Sequence, residues 1–115
     1  MELKSTDRAT RIRELNDQLR TTFFLRYGRV IITVGVDALP LALKTLIIEK
    51  VRRFDGFEPG NDQYQEHDFG AIDIDGERYF WKIDYYDPSM QGGSEDPADP
   101  RKTTRVLTIM CAEEY

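Results

Sequence analysis

The chain is poor in the residues that staple, anchor or catalyse. Its one cysteine, Cys111, excludes an internal disulfide, and the apolar run VLTIMCA around it reads as a small buried thiol in a reducing compartment. No apolar run approaches the roughly 20 residues that span a bilayer, and the N-terminal MELKSTDRATRIREL lacks the apolar core of a secretory signal. A cytoplasmic protein is the expectation. No Gly-x-Ser-x-Gly elbow occurs, and Ser5, Ser89 and Ser94 fall in segments of little regular pattern. Asp68-Phe69-Gly70 has the letters of a kinase magnesium motif, but the chain is too short for a kinase and has neither its Gly-rich loop nor its catalytic loop. Asp73-x-Asp75-Gly76-Glu77 lacks the third acidic position and the distal Glu of a calcium loop, and a hairpin turn accounts for it.

What remains is sized for one domain, residues 1–115, with 40% hydrophobic and 32% charged residues. The net charge of −5 is unevenly spread: Met1 to Phe57 carries eleven Lys/Arg against seven Asp/Glu, whereas Glu58 to Asp99 carries two against twelve. A concentrated negative field repels nucleic acid and favours basic partners; the plainer reading is that acidic loops keep a small domain soluble.

The stretch DFGAIDIDGERYFWKIDYY, Asp68 to Tyr86, has two alternating runs around Asp75-Gly76. A type I′ turn there sets Ile74 opposite Glu77, Ile72 opposite Tyr79, Gly70 opposite Trp81 and Asp68 opposite Ile83. Ile72, Ile74, Tyr79, Trp81 and Ile83 then form an inward face, and Asp73, Arg78, Phe80, Lys82 and Asp84 an outward one, with Asp73 paired to Arg78.

Upstream, Thr6 or Asp7 caps a helix whose stripe is Ile12, Leu15 and Leu19, with Arg8, Arg11, Arg13, Glu14, Asp17 and Arg20 on a solvated side. RVIITVGV, apolar on both faces, predicts a covered or central strand. Pro40 opens a second helix with Leu43, Leu46, Ile47, Val51 and Phe54 on one stripe and Gly56 as a left-handed stop; Lys50, Arg52 and Arg53 suit the negative end of its dipole. DPSMQGGSEDPADPR is a long loop of the kind that is functional or disordered. TTRVLTIMCA is a last strand of undecided inner face. The order α-β-α-β-β-β predicts an α+β domain, a mainly antiparallel four-stranded sheet with two helices on one face and the other face partly open.

Few residues suggest chemistry. His67, between Glu66 and Asp68 and near Asp62, is the best centre for a metal or a general base, yet in an extended segment its neighbours point away from it, and a structural histidine is the ordinary reading. Tyr79, Phe80, Trp81, Tyr85 and Tyr86 could stack bases, but the acidic surroundings and the missing basic signature oppose this. The core explains Tyr79 and Trp81, and leaves Phe80 and Tyr86 without a role.

NDQYQEHDFGAIDIDGERYFWKIDYYD, DPADP, TTRVLTIMCAEEY and ITVGVDALP resemble the bacterial family catalogued as domain of unknown function 3768. The resemblance covers nearly all of the chain beyond the first helix. It brings no activity; it implies a small stand-alone protein of alphaproteobacteria and their plasmids, phages and other mobile elements. By analogy with small acidic proteins of such elements, the expectation is a non-enzymatic inhibitor of anti-CRISPR or other anti-defence type, covering a basic nucleic-acid-binding surface of a host protein or complex. No direct contact with nucleic acid or membrane is expected, and no cofactor or metal. The expected contact residues are Asp73, Phe80, Asp84, Tyr86, Asp87, Glu95, Asp96 and Asp99. The alternative is a small enzyme or ligand-binding domain centred on His67, Asp68 and Asp84, with the Pro/Gly loop as its lid.

Overall fold

A computed structural model describes residues 5–115. The hairpin forms as its turn dictates. Asp75 and Gly76 take φ of 51° and 82°, and strands β2 (Phe69–Ile74) and β3 (Glu77–Tyr86) pair antiparallel with Ile74, Ile72 and Gly70 opposite Glu77, Tyr79 and Trp81. Strand β4 (Thr104–Cys111) joins β3 antiparallel, and β1 (Arg29–Ile32) joins β4 parallel, giving the order β1-β4-β3-β2. The domain is α+β with a mostly antiparallel sheet.

The inward face of the hairpin is the core face. Ile72, Ile74, Tyr79 and Ile83 are buried and Trp81 has no exposure at all. The register places Leu107, Ile109 and Cys111 of β4 opposite Ile83, Trp81 and Tyr79, which settles the inner side of that strand. Helices α1 (Ser5–Thr22) and α3 (Leu41–Arg52) cover this face, contributing Leu19, Ile47 and Val51 to the core.

Several details depart from the sequence pattern. Thr6 and Asp7 lie inside α1, which is already running at Ser5, so neither caps it. The strand predicted from RVIITVGV stops at Ile32 and is an edge, not a central, strand. The Thr33 hydroxyl accepts from the Val36 amide and starts a short helix, α2 (Val34–Asp37), whose Val36 is fully buried in the core. Gly56 does not end α3 in a left-handed conformation, and Leu46 is 42% exposed rather than on the buried stripe.

The C-terminus of α3 is closed by an arginine from α1. Arg20 Nη1 donates to the carbonyls of Val51 (3.0 Å), Arg52 (3.3 Å) and Phe54 (2.9 Å). Arg52 in turn donates to the Thr21 carbonyl at the end of α1, at 3.0 and 3.1 Å. Each helix thus fills the orphan acceptors of the other with a cation at the negative end of its dipole. This is why Arg20, expected on a solvated side, is 4% exposed.

The loop after β3 is fastened down. Tyr86 bridges to Gly93, the Asp87 amide donates to the Gly92 carbonyl (2.8 Å), the Thr103 hydroxyl to that of Asp96 (2.9 Å), and Ala98 is buried. On the outward face of the sheet Phe80 gains a role: its ring packs at 5.3 Å against both Phe69 and Tyr115.

Candidate functional site

The segment between α3 and β2 returns along α1 and sets His67 in a fixed frame. Its backbone is left-handed (φ 56°) and its amide donates to Asp62 Oδ1 at 3.0 Å. The ring stacks flat on Phe57, centroids 3.6 Å apart, with Nδ1 2.9 Å from Asp17 and Nε2 3.5 Å from Asp62. Asp17 also meets Arg20 at 3.2 Å, and Arg20 lies over the rings of Phe57 and Trp81. Asp62, His67, Asp17 and Arg20 therefore form one connected polar chain, with Asp62 and Arg20 buried at its two ends. Beside it opens a groove of about 480 Å³, walled by Arg13, Phe57, Glu58 and Gln65.

A second polar cluster is buried next to the first. Asn16, fully buried, donates to the Glu66 carbonyl (3.0 Å) and the Tyr85 hydroxyl (2.8 Å), and accepts from Arg105 Nε (2.8 Å). Tyr85 donates to Glu66 Oε1 at 2.8 Å, and Arg105 also donates to the Pro97 carbonyl. Burial pushes the Tyr85 hydroxyl well above its ordinary range and brings Arg105 down to about 10. The network joins α1, the loop before β2, β3, β4 and the loop after β3, and among the described residues none of its fully buried side-chain nitrogens or oxygens is left without a partner.

The Asp68 carbonyl accepts from Ile83, and its half-buried carboxyl is raised above the usual range by burial, then by the charge of Glu66, with Asp62 and Asp84 adding to the rise and its own backbone amide opposing it.

The other sequence-derived positions are spread out. Asp84 lies on the outward face in a pair with Lys82 (3.1 Å), away from the Asp17 side to which His67 turns. Asp73 holds Arg78 with both oxygens, at 2.8 and 3.0 Å. Asp87 accepts from the Ser89 hydroxyl and the Gln91 amide, which hold its carboxyl below the ordinary range. Glu95, Asp96 and Asp99 pair with Lys102, Arg8 and Arg101. Tyr86 is half-buried opposite Thr104. Among the described residues no group of three or more His, Cys, Asp or Glu side chains is placed to hold a metal ion, and no helix is long and apolar enough to cross a membrane.

The sequence profile of a family described as "Protein of unknown function (DUF3768)" matches residues 32–114. The chain belongs to that family. No curated protein and no solved structure matches it. The two ends of the DUF3768 match meet in space: Glu114 accepts from the Thr33 hydroxyl (2.6 Å) and from the amides of Gly35 and Cys111 (both 2.9 Å). These donors hold its carboxyl at about 2. The matched DUF3768 span holds His67, Glu66 and Tyr85, but Asp17, which meets His67, and Asn16, which binds the Glu66 carbonyl and the Tyr85 hydroxyl, lie on α1, outside it. The sequence pattern singled out neither Asn16 nor Arg20, setting Arg20 on the solvated side; the available signal was a polar residue at Ile12 plus four and another at Asn16 plus four, beside a buried stripe.

Proposed function

We propose that this chain is a small non-enzymatic binding protein whose acidic block engages a basic surface on a larger nucleic-acid-handling protein. We place it among inhibitors of anti-defence type, anti-CRISPR included, carried by a mobile element. The observation that carries this reading is Asp68: a half-buried carboxyl crowded by Glu66, Asp62 and Asp84, with no cation paired to it among the described residues. An arginine or lysine from a partner would supply the missing charge, and a charge-assisted hydrogen bond in a partly desolvated site is stronger than one in water. Elsewhere on the surface Asp73, Asp84 and Glu95 are held in ion pairs, and Asp96 and Asp99 in ion pairs together with the amides of Ala98 and Arg101. Exposed pairs of that kind contribute little to folding and exchange readily for a partner's cations. Asp87, Tyr86 and Phe80 complete the surface.

The test is binding to, and inhibition of, purified CRISPR effectors and restriction enzymes across a salt series. Steering by opposite fields makes association fall steeply as the Debye length shrinks from roughly 30 to 8 Å. Asp68→Asn should weaken binding while leaving the fold intact, and reversal of Glu95, Asp96 and Asp99 to Lys should slow association. Binding that ignores both salt and these substitutions refutes the acidic interface.

A further inference from the structure

At the opposite side of the sheet from β2, the β1 edge has the reverse character. Of the large apolar side chains that stand exposed, four fall within eleven residues around this strand: Phe24 (58%), Leu25 (86%), Ile31 (49%) and Val34 (86%). Phe24 and Leu25 precede β1, Ile31 lies within it and Val34 follows it. The strand pairs on one side only. The Thr33 amide donates to the Ile109 carbonyl at 3.1 Å, so by the alternation of a strand the amides and carbonyls of Val30 and Ile32 point away from β4, to the side where no other strand of the described residues lies. Edge strands are ordinarily blunted by proline, a bulge or inward-pointing charge, because open peptide groups invite a further strand; residues 29–32, RVII, have no proline.

Charge decides what that strand is. From Gln18 to Val36 the sequence has no Asp or Glu, and it contains Arg20, Arg26 and Arg29. Arg20 is buried, whereas Arg26 and Arg29 are exposed and, among the described residues, neither is in an ion pair. The nearby carboxylate of Glu114 is already bound by Thr33, Gly35 and Cys111. A second copy pairing through the same edge would bring its own Arg26 and Arg29 against these two, and like charges facing each other disfavour it. Nucleic acid is disfavoured by the net charge of −5, and it would leave the open peptide groups and the aliphatic Leu25, Ile31 and Val34 unused.

We infer that the β1 edge is a docking site for an extended, acidic segment of a partner protein, which adds a strand beside β1. Main-chain hydrogen bonds from Val30 and Ile32 supply affinity, aliphatic side chains of the segment cover Ile31 and Val34, and its carboxylates meet Arg26 and Arg29. The surface is independent of the acidic one, so either can fail alone.

The experiment is an amide chemical-shift titration of the full chain with three probes: a capped peptide alternating glutamate and valine, the same peptide with lysine for glutamate, and oligothymidylate. The expected result is saturable shifts centred on the Val30 and Ile32 amides with the glutamate peptide only. Arg26→Glu with Arg29→Glu should weaken it by roughly tenfold or more and leave the melting temperature unchanged, since both side chains are exposed. Shifts with the lysine peptide or the oligonucleotide instead, shifts elsewhere, no shifts at all, or a concentration-dependent dimer through this edge would each overturn the inference.

Discussion

Gly70 sets the position of the core tryptophan, and adding one methyl group there tests the packing directly. A Cβ at Gly70 would lie 2.6 Å from Trp81 Cε2, 2.9 Å from Cζ2 and closer still to Nε1. The indole has no room to retreat: it is fully buried, edge-on to Phe54 (5.5 Å) and Phe57 (6.0 Å), with the Arg20 guanidinium 5.3 Å above it. Overpacking a tight core costs about 1–3 kcal/mol, and with every side of the ring occupied we expect Gly70→Ala to fall near about 3. For a domain of this size that is a loss of roughly 10 °C in Tm. Urea unfolding followed by circular dichroism gives the value. The decisive control is the same substitution with Trp81→Phe, which shortens the ring and removes a buried Nε1 that has no hydrogen-bond partner among the described residues. In that background the cost should drop below about 1 kcal/mol, a coupling of about 2. An equal cost in both backgrounds, or none in either, would show that Gly70 is not where the indole is fixed.

Replacing Arg20 with Met should lower stability by about 3 kcal/mol, because three carbonyls at the end of α3 lose their only charged donor; an unchanged urea midpoint would mean that water replaces it without loss. The Glu114 carboxyl is held at about 2, below its ordinary 4.5. Its contribution is therefore present in full above about 4.5 and is lost as pH falls towards 2, so Tm should fall over that window and fall less in Glu114→Gln. Asp68 runs the other way: with its pKa raised, ionisation opposes folding, so its favourable share is lost as pH rises through the raised value. Asp68→Asn should raise Tm at neutral pH and leave it unaltered well below the ordinary carboxylate range. Zinc or magnesium should not raise Tm, and a rise of several degrees that vanishes in His67→Gln would point to a metal-dependent site.

The hairpin was readable because Asp-Gly demands positive φ at both turn residues, and once the turn is fixed the pleat assigns each side chain to a face. The strand before α2 was misread for the opposite reason. Val34-Gly35-Val36 continues an apolar run without a local stop, and the stop comes from Thr33 together with Glu114, a contact across 81 positions. The polar chain through Asp62, His67, Asp17 and Arg20 was half visible. His67 stood out as the sole histidine, but its partner comes from α1, 50 positions away. Lengthwise spacing along one segment cannot report such a contact. Asn16 and Arg20 were hidden by their own chemistry: polar residues are ordinarily assigned to solvent, and only the caps and network they complete make their burial favourable.

The exchange of arginines between α1 and α3 means that the part of this protein recognisable by family and the part able to fold are different lengths of chain. A polypeptide cut to residues 32–114 would retain α3 but not Arg20, leaving the helix with bare carbonyls at its end and the tryptophan with an open side. It would also lose Asp17 from beside the histidine, and Asn16 from between Tyr85 and Arg105. Such a fragment should be recovered as an aggregate or a loosely collapsed chain, and supplying residues 1–31 as a separate peptide should rescue it, the two pieces assembling as complementary halves of one molecule.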